Sequence, residues 1–279
     1  MMLPAVLTAL LALAPASEPA SDTLEYRAFP MAGDEVQALC TQGPVEVLLL
    51  PDAPADVASW RPVLERLEGR VGACTWARTP TSAERGWFEL LNRLADVGDH
   101  LRVGAPPESG ASVGSAHPPV WVGDGAGGLY ARLLAQDRPA AVGGLVLTDP
   151  ETEGWETTLR RGMPPDAWSR EVARRTLPNG DGVRLETLLE RAADGGTPGV
   201  PLTVLTGLAV PTGAGWTPRW VREARQRRHR DLVAGAVPGR HVPVAGARSA
   251  LRRAPDAVVS EILRVVRLRE RTAGRRGAP

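Results

Sequence analysis

The segment from Pro118 to Pro150 constrains the fold of this chain more than any other part of the sequence. The apolar run Val120–Val122 is followed by a turn of glycine and other small residues, and then by leucines at helical spacing. A second apolar run begins at Gly144 and ends at Asp149. This order predicts a buried strand, a tight turn, a helix and a second buried strand, which is the building unit of a parallel sheet covered by helices.

The glycine-rich turn fits two kinds of site. One is the nucleophile elbow, G-x-nucleophile-x-G, in which a strained turn raises one side chain above the sheet, and Gly125 is then the central residue. The other is the dinucleotide pattern G-x-G-x-x-G, which Gly123, Gly125 and Gly128 satisfy, with Asp149 as the ribose ligand. Close packing of a strand on a helix, without any site, also explains such a turn. The turn alone leaves these three interpretations open.

Length and composition indicate a folded protein. The 279 residues suffice for one large α/β domain, and the apolar fraction of 43% is ordinary for a globular chain. Arginine is abundant after Trp216, but these arginines lack the interleaved aromatic residues of a nucleic-acid platform. We therefore expect a solvated basic helix face and no nucleic-acid partner.

The N-terminal segment, residues 1–22, is predicted to be a signal peptide and a short leader. An apolar run of signal-peptide length precedes Ala14-Pro15-Ala16, a small-x-small cleavage pattern. The run is too short to span a membrane as a helix. We therefore expect an exported protein, periplasmic or extracellular, without a membrane span.

The two cysteines lie beside two neighbouring predicted strands. In an exported chain this placement predicts a structural disulfide between Cys40 and Cys74, with two buried thiols as the alternative. A metal site would need further ligands that the sequence does not offer nearby, and no cofactor is expected.

The order of these segments resembles the α/β-hydrolases, in particular exported bacterial members. The resemblance rests on the elbow strand, the helix after it, the next strand, a cysteine-containing strand that keeps the arginine of a tyrosine-aspartate-arginine motif, and the last strand and helix. The corresponding segments are Pro118–Gly123, Gly127–Arg132, Gly144–Pro150, Val71–Arg78, Gly239–Gly246 and Arg253–Val258. The resemblance implies a mostly parallel sheet flanked by helices in residues 23–270, a helical cap inserted at about 151–200, and a basic C-terminal tail at 271–279.

The same resemblance implies that the catalytic triad is incomplete. Gly125 stands where the family has its nucleophile, and glycine has no side chain to attack a substrate. Arg248 stands where the family has its histidine, and a permanently protonated guanidinium cannot accept a proton. Asp149 matches the position that some members use for the acid, although a carboxylate serving a turn or a helix end explains it at least as well.

The oxyanion region implied by the resemblance is also altered. Pro51 and Asp52 replace a His-Gly pair, and Ala126 follows the central elbow residue. An acid at position 52 is expected to repel a developing oxyanion. Ala77 replaces the aspartate of the motif that ends with Arg78.

Other residues do not restore the missing chemistry in this interpretation. An aspartate nucleophile at Asp124 would place Val122, a branched residue, where the elbow needs a small one. His241 is predicted at the start of its strand, away from the elbow. The remaining histidines are predicted to be solvated: His100, His117 and His229.

The sequence therefore predicts an α/β-hydrolase fold that has lost hydrolase activity and binds a ligand or a partner. An apolar small molecule beneath the cap, near Trp155 and Trp168, is one such ligand. The alternative is an esterase-like hydrolase with an unrecognised nucleophile, and dinucleotide binding is the less favoured third interpretation.

Overall fold

The computed structural model describes residues 23–31, 33–81, 83–103, 117–154, 160–208, 218–245 and 249–276. Its strands are β1 (Glu25–Met31), β2 (Asp34–Cys40), β3 (Val45–Leu50), β4 (Gly72–Trp76), β5 (Val120–Asp124), β6 (Gly144–Thr148), β7 (Leu202–Gly207) and β8 (Gly239–Val244). Its helices are α1 (Arg61–Leu67), α2 (Trp87–Val103), α3 (Ala126–Asp137), α4 (Pro165–Thr176), α5 (Leu185–Asp194), α6 (Pro218–Ala234), α7 (Ala250–Arg253) and α8 (Pro255–Arg276).

These strands form one sheet in the order β1-β2-β4-β3-β5-β6-β7-β8. The hairpin β1–β2 joins the sheet in the antiparallel direction. The remaining strands, β3 to β8, run parallel to one another. The central strands are buried along almost their whole length because helices cover both of their faces. The predicted fold class is confirmed.

Two apolar layers sandwich the sheet. One layer contains buried residues of α2, α3 and α5, together with Leu232 of α6. The other contains buried residues of α1, α7 and α8. Because the strands are parallel, the ends of β3, β5, β6 and β7 lie at the same edge, which we call the carboxyl edge.

The segment between β6 and β7, where a cap is predicted, contains the helices α4 and α5. Helix α5 packs on α3 and buries Leu185, Leu188 and Leu189 in the first apolar layer. Trp155, part of the expected apolar lining, lies outside the described residues. The division of the chain into leader, domain and tail stays a prediction, because the leader lies outside the described residues and α8 continues into the expected tail as far as Arg276.

A disulfide joins Cys40 to Cys74, which are directly opposite each other on β2 and β4. Both cysteines are completely buried. The predicted pairing is confirmed, and the cross-link lies where the antiparallel hairpin meets the parallel strands. Among the described helices, none combines the length and apolar character needed to cross a membrane.

Removal of the disulfide by Cys40→Ala together with Cys74→Ala is expected to lower the free energy of unfolding by about 3 kcal/mol. The cross-link spans a sequence separation of 34 residues, and closing such a loop restricts the unfolded chain. Urea denaturation of the double variant and of wild type measures the difference. An unchanged free energy of unfolding would show that the cross-link contributes nothing to stability.

Candidate functional site

The turn between β5 and α3, called the elbow below, is built from glycine because the strand and the helix approach closely. Gly125 has φ +52° and ψ −117°, a backbone conformation in which a side chain is strained. A Cβ atom built at Gly123 would lie 2.3 Å from the carbonyl oxygen of Gly127, and one at Gly127 would lie 2.4 Å from the carbonyl oxygen of Leu50. These contacts explain the glycine spacing of the turn.

The carboxylate of Asp52 lies over the elbow. Its Oδ1 is 2.2 Å from the position that a Cβ atom on Gly125 would take. The same Oδ1 accepts a hydrogen bond of 2.7 Å from the backbone N–H of Ala126, the first residue of α3. A carboxylate at a helix N-terminus is favoured both by this charge-assisted bond and by the helix dipole. Asp52 therefore occupies the space that a side chain at position 125 would need. It also uses the N–H of Ala126, which would otherwise be able to donate to an oxyanion.

Arg78 holds the loop that carries Asp52. Its guanidinium donates to the carbonyl oxygens of Pro51 (2.9 Å) and Asp52 (3.2 Å). The backbone N–H of Arg78 also donates to the carbonyl oxygen of Pro54 (2.9 Å). Three bonds from one residue therefore fix the backbone on which the Asp52 carboxylate stands.

A buried ion pair fixes Arg78 in turn. Its Nε and Nη2 atoms donate to the carboxylate of Asp181, at 2.7 and 3.2 Å, and both side chains are almost fully buried. The hydroxyl of Tyr130 donates to Asp181 (3.0 Å) and accepts from the side-chain amide of Asn179 (2.8 Å). Burial, followed by the charge of Asp181, raises the pKa of Tyr130, so that its hydroxyl stays protonated. Sequence reasoning missed Asp181, which lies 103 positions from Arg78.

Asp124, the residue before Gly125, has an unusual protonation behaviour. Burial raises the pKa of its carboxyl group to about 7, the nearby carboxylates Asp52 and Asp149 add to this, and a hydrogen bond from Thr148 opposes it. The Thr148 hydroxyl donates to Asp124 Oδ1 at 2.6 Å. A carboxyl group that is partly protonated at neutral pH can donate or accept a proton.

Asp149 follows β6 and serves the backbone on both sides. Its Oδ1 accepts from the N–H of Gly207 (2.8 Å) and its Oδ2 from the N–H of Ala250 (2.9 Å). Arg225 lies 3.6 Å from Oδ1. Burial raises the pKa of Asp149, against the lowering effects of the Ala250 N–H, of Arg225 and of the Gly207 N–H. With both oxygens engaged, the carboxylate joins three loops at the carboxyl edge and is not free to bind a ribose. The dinucleotide interpretation therefore loses its acidic ligand.

The histidines form no partnership with the elbow in the described part of the chain. The prediction that His229 is solvated is wrong: it is buried, and its Nδ1 lies 2.6 Å from Thr206 Oγ1 and its Nε2 3.1 Å from the carbonyl oxygen of Pro150. The burial of His229 was not predicted because the arginine-rich sequence of α6 does not indicate which face of the helix packs on the sheet. His241 is the third of the six residues of β8, and its Nε2 lies 2.8 Å from the same Thr206 oxygen.

The donor and the acceptor of each of these hydrogen bonds can be assigned from the chemistry of their partners. A carbonyl oxygen only accepts, so His229 Nε2 carries a proton and Nδ1 accepts from the Thr206 hydroxyl. The Thr206 oxygen then accepts from His241 Nε2. These hydrogen bonds join α6, β7 and β8 to the loop after β6, and none of them involves the elbow.

The remaining predicted residues have mixed outcomes. Arg248 lies outside the described residues, so its role stays a prediction. His100 is exposed and stacks on Phe29. Within the described ranges, no three His, Cys, Asp or Glu side chains are arranged to hold a metal ion.

Comparisons with known proteins identify the fold. A single-site mutant of a Pseudomonas aeruginosa protein provisionally assigned as an epoxide hydrolase has a TM-score of 0.57 at 14% identity, with 91% of this chain and 99% of that chain covered. An α/β-hydrolase-fold protein from Burkholderia ambifaria has a TM-score of 0.56 at 15% identity, with 85% and 97% covered. The thioesterase domain from the curacin biosynthetic pathway has a TM-score of 0.54 at 16% identity, with 87% and 100% covered.

These likenesses, together with the sheet order, show that the chain has the α/β-hydrolase fold. At such low identity they show the fold alone. No family model matches the sequence, and no curated protein matches it.

Gly125→Ala is expected to destabilise the protein by about 1–3 kcal/mol, because the new methyl group meets the Asp52 carboxylate and the backbone is strained for a side chain. Gly86→Ala is the matched control, since no atom lies within 4 Å of a Cβ there and its φ is not positive. Thermal or urea unfolding of both variants measures the effect. If the two variants were equally stable, the expected clash between a side chain at position 125 and the Asp52 carboxylate would be wrong.

His229 is expected to make the protein sensitive to acid. Burial, followed by the charge of Arg225, lowers the pKa of His229 from 6.5 to about 3. Below 6.5 the unfolded chain therefore binds a proton that the folded chain does not, and the free energy of unfolding falls as the pH drops toward 3. His229→Gln should lose part of this pH dependence, whereas His100→Gln, at an exposed position, should keep it. Urea unfolding across this pH range tests the expectation, and identical pH profiles for all three proteins would contradict it.

Proposed function

We propose that this protein is a non-catalytic member of the α/β-hydrolase fold, exported from the cell, that binds a ligand or a partner at the carboxyl edge of its sheet. One observation carries the proposal. The central residue of the elbow has no side chain, and the carboxylate of Asp52 fills the place where a side chain at Gly125 would begin.

The chemistry of acyl transfer requires a nucleophile and a base that removes its proton. In a serine protease, removal of either group alone lowers turnover by about 10⁶. Here Gly125 offers no nucleophilic atom, and the N–H of Ala126 already donates to Asp52. Asp149 is committed to two backbone N–H groups. These contacts favour a structural or binding use of the elbow over a catalytic one.

A binding role is supported by the position of these groups. In open parallel sheets, ligands bind beyond the carboxyl ends of the strands, where the elbow and the Asp52 loop both lie. Apolar side chains on α4 and directly after it are exposed, with Val172 at 37% and Leu177 at 62%. They support an apolar ligand or partner near the cap. The disulfide supports export, since such bonds persist in oxidising compartments.

A hydrolase with an unrecognised nucleophile is the second candidate, and Asp124 favours it. A carboxyl group with a pKa of about 7 beside the elbow suits a general acid or base. Its Oδ1 is held by the Thr148 hydroxyl, and no described histidine reaches it to activate a water molecule.

An ester panel separates the two candidates. We expect purified protein to show no turnover of p-nitrophenyl acetate, butyrate or octanoate above a buffer blank, and Gly125→Ser alone to restore none. Turnover that survives repurification, disappears in Asp124→Asn or Asp149→Asn and persists in Asp96→Asn, an exposed site on α2, would establish the hydrolase instead. Measurable esterase activity in Gly125→Ser would also contradict the proposal.

The binding half of the proposal has its own measurement. Nile red, a neutral apolar dye, should show a saturable rise in fluorescence with wild-type protein. Leu177→Asp, at an exposed position directly after α4, should lower the affinity for the dye. Val237→Asp, at an exposed position that follows α6 in the sequence, should leave the affinity unchanged. Absence of saturable binding, or an equal effect of both variants, would count against an apolar site near the cap.

A further inference from the structure

A polar cavity of about 160 Å³ lies between the helices α3 and α6, the loop after β6 and the loop after α5. Its floor is buried, with Arg132 at 3% and Thr152 at 6% exposure. Gly196, Thr197 and Asp231 form an exposed rim through which a small molecule can enter. None of the lining residues belongs to the elbow, so this cavity, called the α6 cavity below, is a separate place on the molecule.

We propose that the α6 cavity binds a small zwitterion of the α-amino acid type, with the carboxylate of the ligand toward Thr152 and Arg228 and its ammonium group toward Asp231. The inference does not rest on the proposed function, because the cavity shares no residue with the elbow or with the exposed apolar side chains near the cap.

The floor of the cavity carries polar atoms that the chain itself leaves unsatisfied. The Nη1 and Nη2 atoms of Arg132 donate to the two carboxylate oxygens of Glu153, at 2.5 and 2.6 Å. Within the part of the chain that the structure describes, neither the buried Nε of Arg132 nor the hydroxyl of Thr152 has a hydrogen-bond partner. Buried polar groups are nearly always hydrogen-bonded, so these two donors indicate an occupant that accepts hydrogen bonds. A carboxylate is such an acceptor.

The charges of Arg132 and Glu153 compensate each other. Burial raises the pKa of Glu153, but the hydrogen bonds and the charge of Arg132 outweigh this and lower the pKa, with smaller contributions from a backbone hydrogen bond and from the charge of Arg228. Glu153 therefore stays ionised, and its pair with Arg132 adds no net charge to the cavity. The charges that remain on the lining are those of Arg228 and Asp231.

Arg228 and Asp231 present opposite charges to the cavity without pairing with each other. They lie about one helical turn apart on the same face of α6. The Nη2 atom of Arg228 donates to the carbonyl oxygen of Gly154 at 2.9 Å, and Asp231 has no ion-pair partner among the described residues. A ligand with one group of each charge suits both residues. A simple anion is repelled by Asp231, and a simple cation is repelled by Arg228.

The volume of the cavity limits the ligand to a small molecule. A protein cavity of about 150 Å³ accommodates benzene, so about six non-hydrogen atoms fit into a space of this size. The side-chain amide of Gln136 donates to the carbonyl oxygens of Ala192 and Gly196 and thereby holds the rim in place. Alanine has the required size and carries both charges at neutral pH.

A series of ligands of nearly equal size separates the contributions of the charges. Alanine is a zwitterion, lactate an anion, alaninamide a cation and glycerol a neutral molecule. Each is titrated at constant ionic strength into ¹⁵N-labelled protein, and the backbone amide signals of Thr152 and Gly196 are followed by NMR. We expect saturable shifts with alanine and at least about tenfold lower affinity for the other ligands, since a charge-assisted hydrogen bond contributes a factor of that size.

Variants of the lining test the same assignment. Asp231→Asn removes the charge from the exposed rim and should lower the affinity for alanine at least about tenfold. Asp194→Asn is the matched control, because Asp194 is exposed and follows the lining residue Ala193 in α5 but does not line the cavity itself. It should leave the affinity unchanged. Thr152→Val keeps the shape of the side chain, removes the hydroxyl and should also weaken binding.

The proposal would be overturned if alanine produced no saturable shifts, or if any other ligand of the series bound as tightly as alanine. An equal effect of Asp231→Asn and Asp194→Asn would also overturn it. The ligand series uses wild-type protein, so the test does not depend on the stability of any variant. Ester turnover and Nile red binding are measured separately, so a failure of the proposed function is distinguishable from a failure of this inference.

Discussion

The carboxyl edge of this protein depends on the buried ion pair between Arg78 and Asp181. Two charges out of contact with water are tolerated only when their remaining polar atoms also find partners. Here the partners are the carbonyl oxygens of Pro51 and Asp52 on one side and the hydroxyl of Tyr130 on the other. The pair thereby connects the loop after β3, the helix α3 and the segment between α4 and α5. The position of the Asp52 carboxylate follows from this connection.

Ionisable groups at this edge support the backbone of the loops. Asp149 binds two N–H groups, and His229 donates to the carbonyl oxygen of the next residue, Pro150. The same types of residue serve proton transfer in enzymes, so their presence alone does not indicate catalysis. What distinguishes them here is that their polar atoms are already satisfied within the chain. Asp124 differs from them in that burial raises the pKa of its carboxyl group to about 7.

The sequence predicted those features that depend on local pattern. The spacing of Gly123, Gly125 and Gly127 predicted the sharp turn, continuous apolar runs predicted the buried parallel strands, and Cys40 and Cys74 lay beside strands expected to be neighbours. It did not predict contacts between side chains far apart in the chain. Asp52 was expected to repel an oxyanion, but its bond to the Ala126 N–H depends on how Arg78 holds the loop. His229 was misassigned because arginines occupy six of the 17 positions of α6 and obscure its helical periodicity.

The fit between Gly125 and Asp52 limits the mutational routes open to this protein. A side chain introduced at position 125 would meet the carboxylate of Asp52, which would have to turn away and give up its hydrogen bond to the Ala126 N–H. Replacement of Asp52 first would remove the collision, yet it would leave the N-terminus of α3 without its internal partner. Each position therefore limits the side chain that the other can carry, and a reactive side chain at this turn would come at the expense of the contact between Asp52 and the start of α3.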